Sequence, residues 1–406
     1  MEDWKTYSLG DVCNDIFSGG TPSSMNPEYW GGELLWLSSG ETSQRFIYDT
    51  KKRITPIAVE NSSTRLAKKD STVVATAGQG RTRGQVSYLK VDTYINQSVI
   101  ALEANPALLD PLFLYYNLDG RYEEFRLLSD GTSTRGSLSG RILKSINIRI
   151  PRLDVQKKIV SILKSLDDKI ELNNRIIRNL EEQAQAIFKR WFVNFEQFQD
   201  GDFMDSELGR IPCKWRVGSL DEICEIVGGG TPSKSCIDYY CKEGIAWLTP
   251  KDLSNTNAKF TARGENDITE LGYKNSGAKL IPRGSILFSS RAPIGYISIA
   301  KNNVCTNQGF KSAVPQMAGT AFLYFFLKLN TKTIIAKATG STFKEASGAL
   351  MKSLHTIIPP VEILQSFEEL EKPFFQMQES LEAESKYLSI LRDSLLPKLM
   401  SGEISV

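Results

Sequence analysis

The sequence predicts a mixed α/β (α+β) fold built twice in one chain. Two similar domains are each followed by a long helix, and the two helices pair antiparallel as a coiled coil in a pseudo-two-fold internal repeat. Three observations carry this reading. Trp4-Lys5-Thr6-Tyr7-Ser8-Leu9 returns as Trp215-Arg216-Val217-Gly218-Ser219-Leu220, a shift of 211 positions. Gly20-Thr21-Pro22-Ser23, Trp36-Leu37 and Asn96-Gln97 return in the same order as Gly230-Thr231-Pro232-Ser233, Trp247-Leu248 and Asn307-Gln308. Each copy ends in an Ile-Pro step, Ile150-Pro151 or Ile358-Pro359, and a heptad pattern follows. A solenoid unit runs roughly 20–50 residues, so this period is that of a whole domain with an accessory element.

The first domain covers residues 1–150. Short apolar runs at 34–38, 71–77, 85–89 and 98–102, bounded by Gly and Pro, read as strands. A helix is expected over 111–127, with Asp110 as its N-cap and Pro111 in the first helical position. The second domain, 215–359, repeats the order, with strands at 245–249, 285–289 and 296–300 and a helix at 320–329. The segment 199–214 between them is polar and turn-rich and reads as a linker.

The long helices occupy 151–198 and, with the C-terminal tail, 360–406. In the first, Ile159, Leu163, Leu166, Ile170, Asn173 and Ile177 begin a stripe at alternating spacings of four and three. In the second, Phe367, Leu370, Phe374, Met377, Leu381 and Glu384 do the same. Such a 3.5-residue period indicates a coiled-coil seam, and a helix over 154–197 would reach about 65 Å. Asn173 and Glu384 are the polar members of the two stripes and are separated by the repeat shift itself, so they are expected to face each other and fix the register. A bend is expected at Pro373, where the heptad pattern runs through a proline.

Composition excludes several classes of function. With 41% hydrophobic and 24% charged residues the chain reads as an ordinary globular protein. Its start lacks the basic and apolar segments of a signal peptide, and its apolar runs are too short to span a bilayer, so a cytoplasmic location with no membrane contact is expected. A single histidine, His355, argues against His-based triads and His-rich metal sites. Cys236 and Cys241 lack a second pair to complete a zinc site, and no Walker A sequence occurs. Asn26-Pro27-Glu28-Tyr29 resembles the Asn-Pro-Pro-Tyr motif of adenine methyltransferases but has Glu28 in place of the second Pro, and it reads as a turn leading to Trp30.

The loops offer candidate DNA contacts instead. Gln79, Arg81 and Arg83 lie on Gly78-Gln79-Gly80-Arg81-Thr82-Arg83-Gly84, and Arg and Gln fork onto guanine and adenine edges respectively. The matching loop of the second copy carries Arg291 and differs in length and chemistry while its flanks stay aligned. Gln44 and Arg45 follow the first Trp-Leu strand, and Lys251 and Asp252 follow the second. Arg135 and Lys344 lie on turns after the domain helices, where basic residues commonly hold phosphates.

Taken in this order, twice over, the motifs resemble the specificity subunit of Type I restriction–modification systems across essentially the whole length. The resemblance rests on the Gly-Thr-Pro-Ser, Trp-Leu and Asn-Gln motifs, on Pro151 leading into Gln156-Lys157-Lys158, on the linker Ser206-Glu207-Leu208-Gly209-Arg210-Ile211-Pro212, and on the C-terminal Leu395-Leu396-Pro397-Lys398-Leu399. The second helix departs from the pattern at Pro360-Val361-Glu362, where the basic start is missing. The resemblance implies two target-recognition domains, each reading one half of an asymmetric bipartite site in double-stranded DNA. It implies that the helices set the spacer and dock two modification subunits, which use S-adenosylmethionine to methylate adenine. It allows for restriction subunits, and it implies no chemistry and no cofactor in this chain. The net charge of +2 is compatible with it, because partner subunits can supply phosphate contacts. The competing reading is a non-DNA adaptor that holds two protein partners on a coiled coil.

Overall fold

The computed structural model describes residues 4–406 except 79, 131–136, 257 and 341–343. The chain forms two compact units, Met1–Lys169 with Tyr387–Val406, and Ile170–Lys386. Each contains one sheet domain and a segment of both long helices.

In the first unit a five-stranded sheet runs in the order Cys13–Ser18, Val99–Ala104, Thr72–Ala75, Val86–Leu89 and Phe46–Ile47. A four-stranded sheet runs Lys52–Ile54, Trp30–Leu37, Thr93–Ile95 and Arg65–Ala67. Lys5–Ser8 pairs with Asn147–Ile150 and ties the start of the domain to its end. The Val- and Ile-rich central strands Thr72–Ala75 and Val86–Leu89 are buried along their length, which explains why they read as continuous apolar runs. Asp110 accepts from the backbone N–H groups of Leu112 and Phe113 and caps a helix Pro111–Asp119. A second helix, Tyr122–Asp130, follows Gly120, so the single helix expected over 111–127 is two.

The second unit repeats the order by itself. Its five-stranded sheet runs Cys224–Gly228, Lys311–Pro315, Ile286–Ser290, Ile294–Ala300 and Phe260–Thr261. Its four-stranded sheet runs Tyr240–Cys241, Asp267–Ile268, Ile245–Leu248 and Cys305–Thr306. Arg216–Ser219 pairs with His355–Ile358. The domain helix Thr320–Lys337 is two turns longer than expected. Within the segment 199–214, expected as a linker, Phe203–Ser206 and Gly209–Pro212 form an antiparallel hairpin. Gly209 supplies a positive φ of 98° at its turn, and Trp215 packs on Phe195 and Phe198 at 5.4 and 4.9 Å between ring centroids.

The long helices run Leu153–Phe192 and Val361–Ser401, and the second is helical on both sides of Pro373. Within the first unit Asp167 bonds Arg392; within the second, Asn173 bonds Glu384 and the Ile177 carbonyl accepts from Gln378. Within the second unit a rising number on one helix meets a falling number on the other, which is antiparallel pairing. The seam is less regular than the heptads predict. Leu370 and Met377 are exposed, and their neighbours Glu371 and Gln378 are buried instead. The reason is that each helix segment packs on its own domain as well as on the other helix, so its buried face follows the 3.6-residue period of a helix on a globule. Phe188, Phe192 and Phe367 belong to the core that contains Phe322 and Phe325 of the domain helix. Ile159, Leu163, Leu396 and Leu399 belong to the core around Phe113 and Tyr116.

Asn173 Nδ2 donates to Glu384 Oε2 at 2.7 Å, with Asn173 fully buried. Asn173→Leu removes a donor from a carboxylate inside the seam and is expected to cost about 1–3 kcal/mol in urea unfolding. Asn173→Leu with Glu384→Leu should recover most of that loss, because an apolar pair of similar volume replaces the polar one.

Candidate nucleic-acid interface

The motifs that recur in the sequence meet in space within each domain. Trp36 and Leu37 run parallel to Tyr94 and Ile95, and Asn96 N–H donates to the Leu37 carbonyl at 3.1 Å. The Trp36 indole donates to the Gly20 carbonyl at 3.3 Å, and Thr21 bonds Gln97. In the second domain Trp247 and Leu248 run parallel to Cys305 and Thr306, the Trp247 indole donates to the Gly230 carbonyl at 3.0 Å, and Thr231 bonds Gln308. A Cβ on Gly20 would lie 2.1 Å from the Ser63 hydroxyl oxygen, and one on Gly230 would lie 2.2 Å from the Gly277 backbone, so no larger residue fits either turn. These motifs are therefore architectural. Asn26 caps the short turn Pro27–Tyr29 by accepting from Glu28 N–H, which carries the chain into Trp30.

The candidate contacts divide on their surroundings. Gln44, Arg81 and Lys344 are exposed. Lys251 is exposed and pairs with Glu265 at 3.0 Å, and Arg291 stands 3.7 Å from Glu345. Lys251, Asp252 and Arg291 line one cleft of about 600 Å³ together with Lys234, Trp247 and Asn307. Gln79 and Arg135 lie outside the described residues.

Three of the candidates are bonded within the protein. Asp252 accepts from Thr249 N–H and Oγ1, each at 2.7 Å, and from Glu265 N–H at 2.8 Å, so its carboxylate caps a helix. The Arg83 side chain is only 10% exposed and pairs with Asp130. Arg45 bonds Asp119 at 2.7 Å and lies 3.5 Å from Asp167, which is 3% exposed, so it faces the long helix.

Arg45 belongs to a buried polar clamp that positions the domain. Asp167 on the first long helix accepts from Tyr116 at 2.8 Å and from Arg392 of the second long helix at 2.6 Å. The second unit builds its own clamp at the equivalent place. Lys259 Nζ donates to Glu181 of the first long helix at 2.7 Å and to Gln378 of the second at 2.8 Å. Tyr324 and Lys328 bond the other oxygen of Glu181. Gln378 sits 211 positions after Asp167, and Arg392 sits 211 after Glu181. The positions are thus shared while the charges are redistributed. Burial raises the Glu181 carboxyl, but Lys259 and Lys328 outweigh it and hold the group down at about 2. Burial lowers Lys259 to about 8 against the pull of Glu181. Glu371 is fully buried with neither carboxyl oxygen hydrogen-bonded, and burial pushes it up to about 7 against the attraction of Lys259.

Residues 1–182 and 212–383 match the Type I restriction modification DNA specificity domain family. The chain belongs to this family. The specificity subunit of the Type I restriction enzyme MjaIX from Methanocaldococcus jannaschii is 28% identical over 421 residues, covering 100% of this chain and 94% of that protein. The HindI specificity subunit from Haemophilus influenzae is 26% identical over 474 residues, covering 100% of both. The crystal structure of a Type I restriction–modification S subunit from M. genitalium superposes with a TM-score of 0.60 at 17% identity, covering 98% of this chain and 96% of that one.

For a DNA specificity protein the clamps are what sequence reading missed. Their one visible signal is the run of polar residues beside the heptad stripe, Asp167 after Leu166 and Gln378 after Met377. Among the described residues no group of His, Cys, Asp and Glu is placed to hold a metal, and no helix is long and apolar enough to cross a membrane.

Arg392→Ala leaves Asp167 buried with a depleted set of donors and is expected to cost about 3–5 kcal/mol in urea unfolding, with Arg392→Lys recovering part. Glu371 gives a pH dependence of defined sign. Its folded value is raised above the ordinary 4.5 to about 7. The folded state therefore holds the proton more tightly, and the stability present below pH 4.5 is lost as pH rises through 7. Glu371→Gln should remove about 2–3 kcal/mol of the stability difference between pH 5 and pH 8, seen as a higher melting temperature than the parent at pH 8 and a similar one at pH 5.

Proposed function

We infer that this chain is the DNA-reading subunit of a Type I restriction–modification complex, each domain reading one half of an asymmetric bipartite site. The long helices set the unread spacer and dock two modification subunits. Those partners bind S-adenosylmethionine and methylate adenine, the assembly leaves room for restriction subunits, and this chain contributes no catalytic group. The observation that carries the reading is the contrast between scaffold and surface. The Gly-Thr-Pro, Trp-Leu and Asn-Gln contacts are the same in both domains, while neighbouring exposed positions are not. The exposed Lys51-Lys52 of one becomes the exposed Glu265-Asn266 at the equivalent strand of the other, and Arg53 becomes the buried Asp267. A homodimer would read a palindrome, whereas two diverged copies in one chain suit two unlike half-sites.

The test is the pattern of host DNA methylation. A bipartite N6-methyladenine motif should vanish when the gene is removed and return with it; its persistence overturns the reading. With modification subunits present, Arg81→Ala should relax one half of the motif, with about tenfold less discrimination at one base pair, and leave the other half unchanged. An adaptor for two proteins would show no motif and no sequence-dependent DNA binding.

A further inference from the structure

Among the described residues the two most exposed large apolar side chains are Met25, at 93%, and Ile237, at 84%. They stand on the same turn of the two domains, between the Gly-Thr-Pro-Ser motif and the aromatic that closes it. That aromatic is anchored each time: the Trp30 indole donates to the Ser23 carbonyl at 3.1 Å, and the Tyr240 hydroxyl to the Pro232 carbonyl at 2.7 Å. Met25 and Ile237 are not at equivalent positions, since 25 shifted by 210 is Ser235. Each copy has thus placed an apolar side chain in water on a rigid turn, independently of the other.

Cations flank both turns. In the first domain Lys51, Lys52 and Arg53 border a cleft of about 420 Å³ with Ser24 and Trp30. Arg53 pairs with Asp49, while Lys51 and Lys52 have no carboxylate within ion-pair distance among the described residues. The Lys52 ammonium lies 5.2 Å from the Trp30 ring centroid, an arrangement that positions the charge without neutralising it. In the second domain the equivalent strand is acidic, and the cations are Lys234, Lys251 and Arg291, which line a cleft with Trp247, Lys251 paired with Glu265 and Arg291 3.7 Å from Glu345.

The chemistry favours a nucleic acid over a protein. The core of a protein interface is a contiguous apolar patch depleted of lysine. Here one apolar side chain stands among Ser23, Ser24 and Asn26 in sequence, and Lys51 and Lys52 share a cleft with Ser24. A duplex groove presents that complement: phosphates on both rims and, in the major groove, the thymine methyl as the apolar feature of the base edges.

Resting on the DNA-reading function above, we propose that this turn is an element, besides the Arg81 loop, with which each domain touches base edges. Met25 or Ile237 meets an apolar base edge, and the neighbouring lysines hold the phosphates beside it. The experiment uses the full chain assembled with its modification subunits, on duplexes carrying every single-base variant of the target. Lys51→Ala with Lys52→Ala should weaken binding to all duplexes alike and lower the slope of log affinity against log salt by about two. Met25→Ser should leave that slope unchanged and lose roughly five- to tenfold discrimination at one base pair of one half-site. Ile237→Ser should do the same in the other half-site. All of these side chains are exposed, and unchanged thermal unfolding confirms intact folding. Discrimination unchanged at every base pair in both serine variants overturns the proposal. So does loss of modification subunits in sedimentation with the DNA preference of the remaining complex intact, which would assign the turn to a protein partner. A parent complex with no sequence preference fails the DNA-reading function itself, and the proposal with it.

Discussion

Asp167 and Glu181 are the charges around which each unit is organised. A carboxylate on a helix face buried against a domain is costly unless it is paired and hydrogen-bonded. Each finds its donors on three separate elements: a residue before a sheet strand, the domain helix, and the other long helix. Arg45, Tyr116 and Arg392 serve Asp167. Lys259, Tyr324, Lys328 and Gln378 of the second helix serve Glu181, and Gln378 also accepts from Lys259. The apolar packing around them tolerates sliding by a turn; a buried carboxylate that must meet several fixed donors does not. These clamps therefore define where each domain sits on its helix segments, and the orientation of every exposed loop follows from them.

The recurring motifs serve the same end. Trp36 and Trp247 tie the Gly-Thr-Pro turn to the parallel strand pair from below, and Thr21–Gln97 and Thr231–Gln308 tie it from the side. A turn held at both faces projects its tip with little freedom. Recognition of base edges needs side chains placed to within a fraction of an ångström by rigid elements, and the motif supplies that rigidity without dictating what the tip carries.

The architecture was legible because its signals are long-range and redundant: a repeat at one shift, heptads over many turns, and apolar strands such as Thr72–Ala75 whose burial leaves no alternative period. The Asn173–Glu384 contact was legible because two polar breaks in apolar stripes shared the repeat shift. The two- and three-residue strands Phe46–Ile47 and Arg65–Ala67 carry too few residues for a period and were not readable. Nor was the burial of Glu371 in place of Leu370, which depends on the helix packing on its own domain as well as on the other helix. Arg45, Arg83 and Asp252 show the general difficulty. An arginine or aspartate on a loop has the same sequence signature whether its partner is a phosphate or a carboxylate folded in from far along the chain.

The redistribution of charge between the two clamps bears on how such proteins change their targets. A domain exchanged at the Ile-Pro steps brings its own residue at the Arg45 or Lys259 position but leaves the helices behind. A first-position domain meets Asp167 with Arg392 beside it; a second-position domain meets Glu181 with Gln378 beside it. A second-position domain set on the first pair of helix segments would bring a lysine to a carboxylate that already holds an arginine, and a first-position domain set on the second pair would bring an arginine to a carboxylate framed by an amide, so each domain is matched in charge to the helix segments it sits on.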